Sequence, residues 1–346
     1  MKKLFVSVLI LALLVSGCAA LAEESPVKVR LAVSHALETI EDCFFWSALY
    51  LGFFEEEGLD VELLPLAGTS CEQMAVSGMA DLALPASNEL LAAVDAGMDL
   101  VAVYQGAVHN VFGFVTLADS GLKDWKDLEG KNIVAWAGCE PLSNPILISA
   151  GDDPETVNYV AAFDERPAML ATGAADAALS WQGEWQVWEG TLKVDLNYFD
   201  GDDVLANCSN PWVCTRKYYE ENKETIAKVG RAIAKGAYFC GANPEAAAAI
   251  TMAIMPTVDI SLESATKVAE AVYELWTPDN GVYGQCVPGK WALNVEWCAY
   301  YDAINPEKID LDEILKSAEF EDAFNDWSRE EMDAFAADFD ISTIAW

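Results

Sequence analysis

Basic residues are scarce in this chain. Twenty lysines and arginines stand against 56 aspartates and glutamates in 346 residues, for a formal charge of −36. A body this acidic repels nucleic acid and anionic lipid head groups at long range, so no nucleic-acid partner is expected. Its plain role is to keep the chain in solution, and it also favours neutral or cationic ligands over anions. Histidine is scarcer still, with His35 and His109 alone. No C-x-x-C spacing occurs, so the usual zinc ligand sets are missing and no metal centre is expected. No nucleophile elbow and no catalytic carboxylate pair stands out. Short repeats and low-complexity tracts are lacking too. After the first residues, no apolar run approaches the ~20 residues that span a bilayer.

What is present begins with an export signal. Lys2 and Lys3 precede an apolar run from Leu4 to Val15, too short for a permanent membrane helix. Val15-Ser16-Gly17-Cys18 resembles a bacterial lipobox, which would make 1–17 a lipoprotein signal peptide, Cys18 the lipid anchor and 18–26 a tether. Ala20-Leu21-Ala22 before Glu23 is a competing cleavage site of the ordinary small-x-small kind. Both readings put the mature chain outside the cytoplasm, lipid-anchored at the membrane's outer face in the first case. Nine cysteines are many, and lipidation of Cys18 leaves an even number for disulfides in an oxidising compartment. Cys208 with Cys214, and Cys286 with Cys298, are candidate pairs by spacing, although spacing assigns no connectivity.

The stretch 51–81 carries a helix, strand, loop, helix and second strand. A helix over 42–57, crowded with Phe44, Phe45, Trp46, Phe53 and Phe54, is expected to stop at the left-handed cap Gly58. Val61, Leu63 and Leu64 then read as a strand. Ser70 and Gln73 have capping-box spacing after the small loop Gly68-Thr69-Ser70, so a helix should start there. Further strands are expected at 27–34, 81–86, 99–105, 112–117, 132–136, 157–163 and 177–181, with helical patterns between and a mostly helical remainder. Such alternation predicts an α/β fold with mixed sheets covered by helices on both faces.

Several segments together resemble substrate-binding proteins of bacterial ABC importers, in the family that captures nitrate, sulfonates, taurine and thiamine pyrimidine precursors. They are Gly52 to Val61, Gly68-Thr69-Ser70, Met79 to Ala83, Asp119 to Lys131, Ala174 to Ala178 with Trp181, and Asn243 to Ala247. The resemblance spans roughly residues 27 to 275. It implies a two-lobe type II periplasmic-binding-protein-like fold, with two crossover strands and a helical C-terminal extension. Lobe 1 is then expected over 27–117 and 213–346, and lobe 2 over 118–212, with the first crossing after Leu117. Hinge closure would trap a small-molecule solute and present it to an ABC permease and its ATPase, the binding protein acting as a monomer without cofactor. An alternative recipient is a membrane sensor. A pyrimidine-synthase-like enzyme is disfavoured, since Cys43-Phe44-Phe45-Trp46 supplies no cysteine cluster and the chain carries an export signal.

Ligands in such sheets sit at the carboxyl ends of strands. Ser34 and His35 end the first strand, Ser87 and Asn88 follow the third, and His109 with Asn110 follows the fourth. Thr69 and Ser70 head a helix, where hydroxyls and free N–H groups bind anions or carbonyls, and where capping alone is an equal explanation. Trp46, Trp136, Trp181 and Trp212 offer flat walls for planar or cationic ligands, against a core-packing role for each. Backbone N–H groups at Gly138 and Cys139 are further donors. Arg30, Arg166, Arg216, Arg231 and Arg329 do not fall clearly at strand ends, which disfavours nitrate or a sulfonate and favours a pyrimidine-like heteroaromatic.

Overall fold

The computed structural model describes residues 25–34, 40–66, 68–255 and 259–344. The signal segment, Cys18 and His35 lie outside them. Two five-stranded mixed sheets form the frame among the described residues. In the first, β1 (Val27–Val33) lies between parallel partners β2 (Leu59–Leu64) and β3 (Leu82–Leu84). The order continues to β4 (Leu100–Gln105) through an antiparallel strand from much later in the chain, Pro211–Thr215.

The second sheet is built from β5 (Phe112–Leu117), β6 (Asn132–Ala135), β7 (Asn158–Ala161), β8 (Ala177–Trp181) and β9 (Leu196–Asp200), and the returning Pro211–Thr215 strand is β10. Here β6 runs parallel to β7 and β8, while β5 is antiparallel to β8 and β9. The expected boundary after Leu117 is therefore corrected: β5 belongs to the second sheet, and the chain crosses over 106–111. It returns over 204–210, just ahead of β10.

Alternate residues of each strand feed opposite cores, as period-2 geometry requires. On β4, Val101 and Val103 face one cluster, with Trp212 and Cys214 of β10. Leu100 and Ala102 face the other, with Val213. Ile133 and Ala135 of β6 join Phe114 and Leu179 on one side of the second sheet, whereas Val134 joins Val115 and Ala178 on the other. Both sheets are thus covered on both faces.

The covering helices of the first lobe are α1 (Cys43–Tyr50), α2 (Phe53–Glu56), α3 (Cys71–Val76) and α4 (Ser87–Asp95). The single helix expected over 42–57 is split because Gly52 adopts φ +78°, a left-handed conformation that costs glycine little and ends one helix before the next. On the second lobe sit α5 (Glu140–Ala150), α6 (Arg166–Ala171) and α7 (Glu184–Leu192).

After β10 come α8 (Arg216–Glu221), α9 (Lys223–Ala242), α10 (Pro244–Ile254) and α11 (Leu262–Trp276). They are followed by α12 (Pro288–Tyr300), α13 (Leu311–Ile314), α14 (Glu321–Phe324) and α15 (Arg329–Asp338). This C-terminal group wraps the first lobe. Phe324 packs on Gly230 of α9, and Arg231 is paired with Glu57 at 2.7 Å while also bonding the Ala323 carbonyl.

The eight described cysteines, from Cys43 to Cys298, are free thiols, which corrects both expected disulfides. Cys208 and Cys214 pack into clusters on opposite faces of the first sheet, so closeness in sequence brings no sulfur contact. Cys298 sits ten residues along α12 from its first residue, a rise of ~15 Å, while Cys286 stays ahead of the helix start.

Candidate ligand-binding site

The two crossovers run side by side between the sheets. Gly106 N donates to Asn210 O at 3.2 Å, and Ser209 N to Ala107 O at 3.0 Å. The buried Gln105 side chain donates to the carbonyls of both strands, and its own Oε1 accepts from Trp291 Nε1 at 2.9 Å. A cavity of about 220 Å³ opens beside these crossovers, at the carboxyl ends of β1, β6 and β8.

Its second-lobe wall is aromatic: Phe112, Trp136, Phe163 and Trp181. Trp136 meets the other three edge-on or tilted, with ring centroids 5.9–6.2 Å apart. Behind that wall lies Arg166, 1% exposed, whose Cζ is 4.6 Å from the Phe163 ring, 5.3 Å from Trp136 and 5.1 Å from Trp181. Its guanidinium is fully engaged, donating to Glu184 at 2.6 and 3.1 Å and to the carbonyls of Phe163 and Leu179. Burial pushes the Glu184 carboxyl up to about 7, against the opposing pull of Arg166 and Ser180. The charge that sequence alone left unplaced is therefore a pillar for three rings, not an anion donor facing the ligand.

The first-lobe side is formed by Ser34, Glu41, Asp42 and Ala86, with Val272, Leu275 and Trp276 from the end of α11 and Ser209 and Asn210 from the return crossover. Trp276 stacks on Phe44 at 4.0 Å. Glu41 Oε2 accepts from Trp181 Nε1 at 2.8 Å, a hydrogen bond from one lobe to the other. The lobes touch here without clearance. A Cβ on Gly183, at φ +97°, would stand 2.6 Å from Glu41 Cγ and 3.2 Å from Val272. The described lining holds no Arg, Lys, His or Cys.

Among the residues expected from sequence, Ser34, Trp136 and Trp181 meet at this cavity. Ser87 and Asn88 line a different, smaller space of about 40 Å³ on the other side of the crossovers, bounded by α5 and α12. Trp46 and Trp212 are buried around a third space of about 10 Å³ that shares Asp42, room for one water. Neither of their indole N–H groups has a hydrogen-bond partner among the described residues. Ser70 caps α3 by accepting from Gln73 N at 3.3 Å, and Thr69 and Gly138 line none of these spaces.

His109 sits at the hinge. Its Nδ1 is 2.8 Å from Asp202 and its Nε2 3.8 Å from Asp279. The hydrogen bond to Asp202 raises the imidazole above its ordinary value against the effect of burial. Burial pushes Asp202 up, but hydrogen bonds from His109 and Asn110 outweigh it and leave that carboxyl below its usual range.

Sequence reasoning missed Phe112, Phe163, Trp276, Glu41 and Asp42. The first two occur in segments readable as strands, and Trp276 hides inside a regular helical stripe. Acidic residues just before a helix are common for electrostatic reasons alone, so Glu41 and Asp42 carry no distinctive signal.

Residues 42–247 match the NMT1/THI5-like family. The chain belongs to this family. A formylaminopyrimidine-binding protein of Halalkalibacterium halodurans is 26% identical over 287 residues, 77% of this chain and 86% of its own length. The periplasmic aliphatic sulphonate binding protein SsuA of Escherichia coli superposes with a TM-score of 0.66 at 17% identity, over 87% of this chain and 100% of that one. The desulfurization enzyme DSZB does so with 0.57 at 13% identity, over 86% and 99%. At those identities the two structures establish the fold of this NMT1/THI5-like chain, two α/β lobes of periplasmic-binding-protein type. A fold that also carries an enzyme leaves function to the site. No described helix is long and apolar enough to cross a membrane.

Proposed function

We propose that this NMT1/THI5-like protein is the extracytoplasmic solute-binding component of an ABC importer, and that it traps a small amino-substituted, pyrimidine-like heteroaromatic between its lobes. One observation carries the reading: a cavity walled by Phe112, Trp136, Phe163 and Trp181, faced by Glu41 and Asp42, with no basic side chain in its described lining. Indole faces stack on planar rings and attract partial positive charge, and acidic side chains accept from ring amino groups. A volume of about 220 Å³ suits one substituted ring, being below the ~300–1,000 Å³ of pockets for drug-sized ligands. Among the described lining residues sulfonate or nitrate would find no cationic partner, since Arg166 is spent on Glu184 and the aromatic wall.

The name of the Halalkalibacterium halodurans relative agrees in chemical class. In this reading Ser34, Trp136 and Trp181 touch the ligand, Cys18 carries the lipid anchor, and a monomer delivers cargo to the permease and its ATPase. No nucleophile or general base is required, because closure around the ring is the whole event.

Calorimetric titration of the mature chain with aminopyrimidines, alkanesulfonates and nitrate tests it. Heat is expected from the pyrimidines alone. Tight sulfonate binding with no pyrimidine signal overturns the reading.

A further inference from the structure

We propose that Cys43 and Cys240 are the redox pair of this protein and close to a disulfide when the exported chain folds in an oxidising compartment. Cys240 Sγ lies 3.6 Å from Cys43 Sγ, and Ser47 Oγ is 3.8 Å from Cys240. Among the hydrogen bonds of the described residues, no other joins two thiols. Cys43 opens α1 and Cys240 lies in the last turn of α9, two helices packed against each other in the first-lobe core. A disulfide needs the sulfurs about 1.5 Å closer than they stand in the reduced pair.

The timing follows from burial. Both cysteines are at most 1% exposed, and the hydrogen bond from Cys240 together with burial holds the Cys43 thiol well above its ordinary range. The Cys43 thiolate is therefore scarce in the folded chain, and burial keeps an oxidant from either sulfur. The bond forms during folding, by exchange with a disulfide-carrying oxidant. One thiolate attacks the carrier's S–S bond and forms a mixed disulfide, releasing one carrier thiol. The second thiolate then attacks that mixed disulfide, forming Cys43–Cys240 and releasing the other carrier thiol. Two electrons and two protons pass to the carrier, which ends as a dithiol.

The pairing has consequences for the site. Cys43 directly follows Glu41 and Asp42, which face the cavity, so the crosslink pins their segment to α9 across nearly two hundred residues of chain. Loops of that length give the largest constraint on the unfolded state. Only the compartment rests on the export reading; the chemistry does not.

The test refolds the mature chain in a glutathione redox buffer, alkylates remaining thiols in denaturant and maps the peptides. Loss of two thiols and a Cys43–Cys240 linked peptide is expected, with a midpoint of melting higher by on the order of 5–10 °C than in reductant. A Cys43→Ser/Cys240→Ser chain should melt identically with and without reductant. If all thiols alkylate, or another pair links, the proposal fails. The same mapping on chain taken from its native envelope separates this from export: a pair that closes in vitro and stays reduced there overturns the compartment and leaves the ligand reading untouched.

Discussion

The two lobes share one sheet topology and use it differently. Each has a three-strand parallel core, β2-β1-β3 or β7-β6-β8, then one antiparallel strand delivered by a crossover, then an outer strand. In the second lobe the strand ends carry Trp136 and Trp181, which rest on a buried Arg166–Glu184 pair. That wall is braced from behind by charges of the protein itself. In the first lobe the equivalent edge carries small or acidic groups, Ser34, Ala86, Glu41 and Asp42, and its one large ring, Trp276, comes from a helix end. Identical frames thus hold a preformed stacking surface on one side and hydrogen-bonding groups on the other. Recognition of the ring face and recognition of its edge are separate tasks.

The sharpest way to break this division is at the pillar. Arg166→Met leaves Glu184 buried without its partner and should lower stability by about 3–5 kcal/mol in urea unfolding, the second lobe losing most. Trp181→Ala removes a ring from the wall and the donor to Glu41. Affinity for an aminopyrimidine should fall on the order of 100-fold by calorimetry, with little change in fold by circular dichroism. Equal loss for every ligand tried would mean that the wall does not read ring faces. Glu41→Ala tests the other side. It should weaken binding of every ring alike through the lost bond from Trp181, and of amino-substituted rings by about tenfold more.

The smallest effect lies at the hinge. The His109 pKa is raised in the folded chain, so its stabilising contribution is complete below the unfolded value of about 6.5 and is lost as pH rises through the higher folded value. Asp202 is depressed, so its share is present above the ordinary carboxylate range and is lost on acidification. His109→Asn should cost no more than about 1 kcal/mol in slightly acidic buffer and almost nothing at about pH 9. A pH-independent difference would show that the imidazole is not clipping the crossovers by charge.

Val29, Leu31 and Val33 were legible as a strand because they alternate with Lys28 and Arg30, and β4 because it is buried on both faces and reads as a short apolar run. The lobe assignment of Phe112–Leu117 was not, since FGFVTL would fill either sheet and only the crossover geometry chooses. Trp136 and Trp181 could be placed at the cleft because they end strands. Trp46 and Trp212 resemble them in composition but point into the core, and a single sequence does not distinguish the two faces. Ser70 carried a true capping signal, accepting from Gln73 N, and neither it nor Thr69 lines the cavity between the lobes. Cysteine spacing misled for the same reason: Cys208 and Cys214 are neighbours along the chain and sit across a sheet from each other in space.

The hydrogen bond from Trp181 to Glu41 uses only side chains of the protein. Whatever free energy it gives to the shut conformation is independent of cargo. Such a term tightens apparent affinity by reducing what the ligand must contribute to closure, and it raises the fraction of empty molecules that look loaded to a transporter. In the proposed importer role, the strength of that one bond therefore sets a trade between scavenging at low concentration and idle cycling of the transporter.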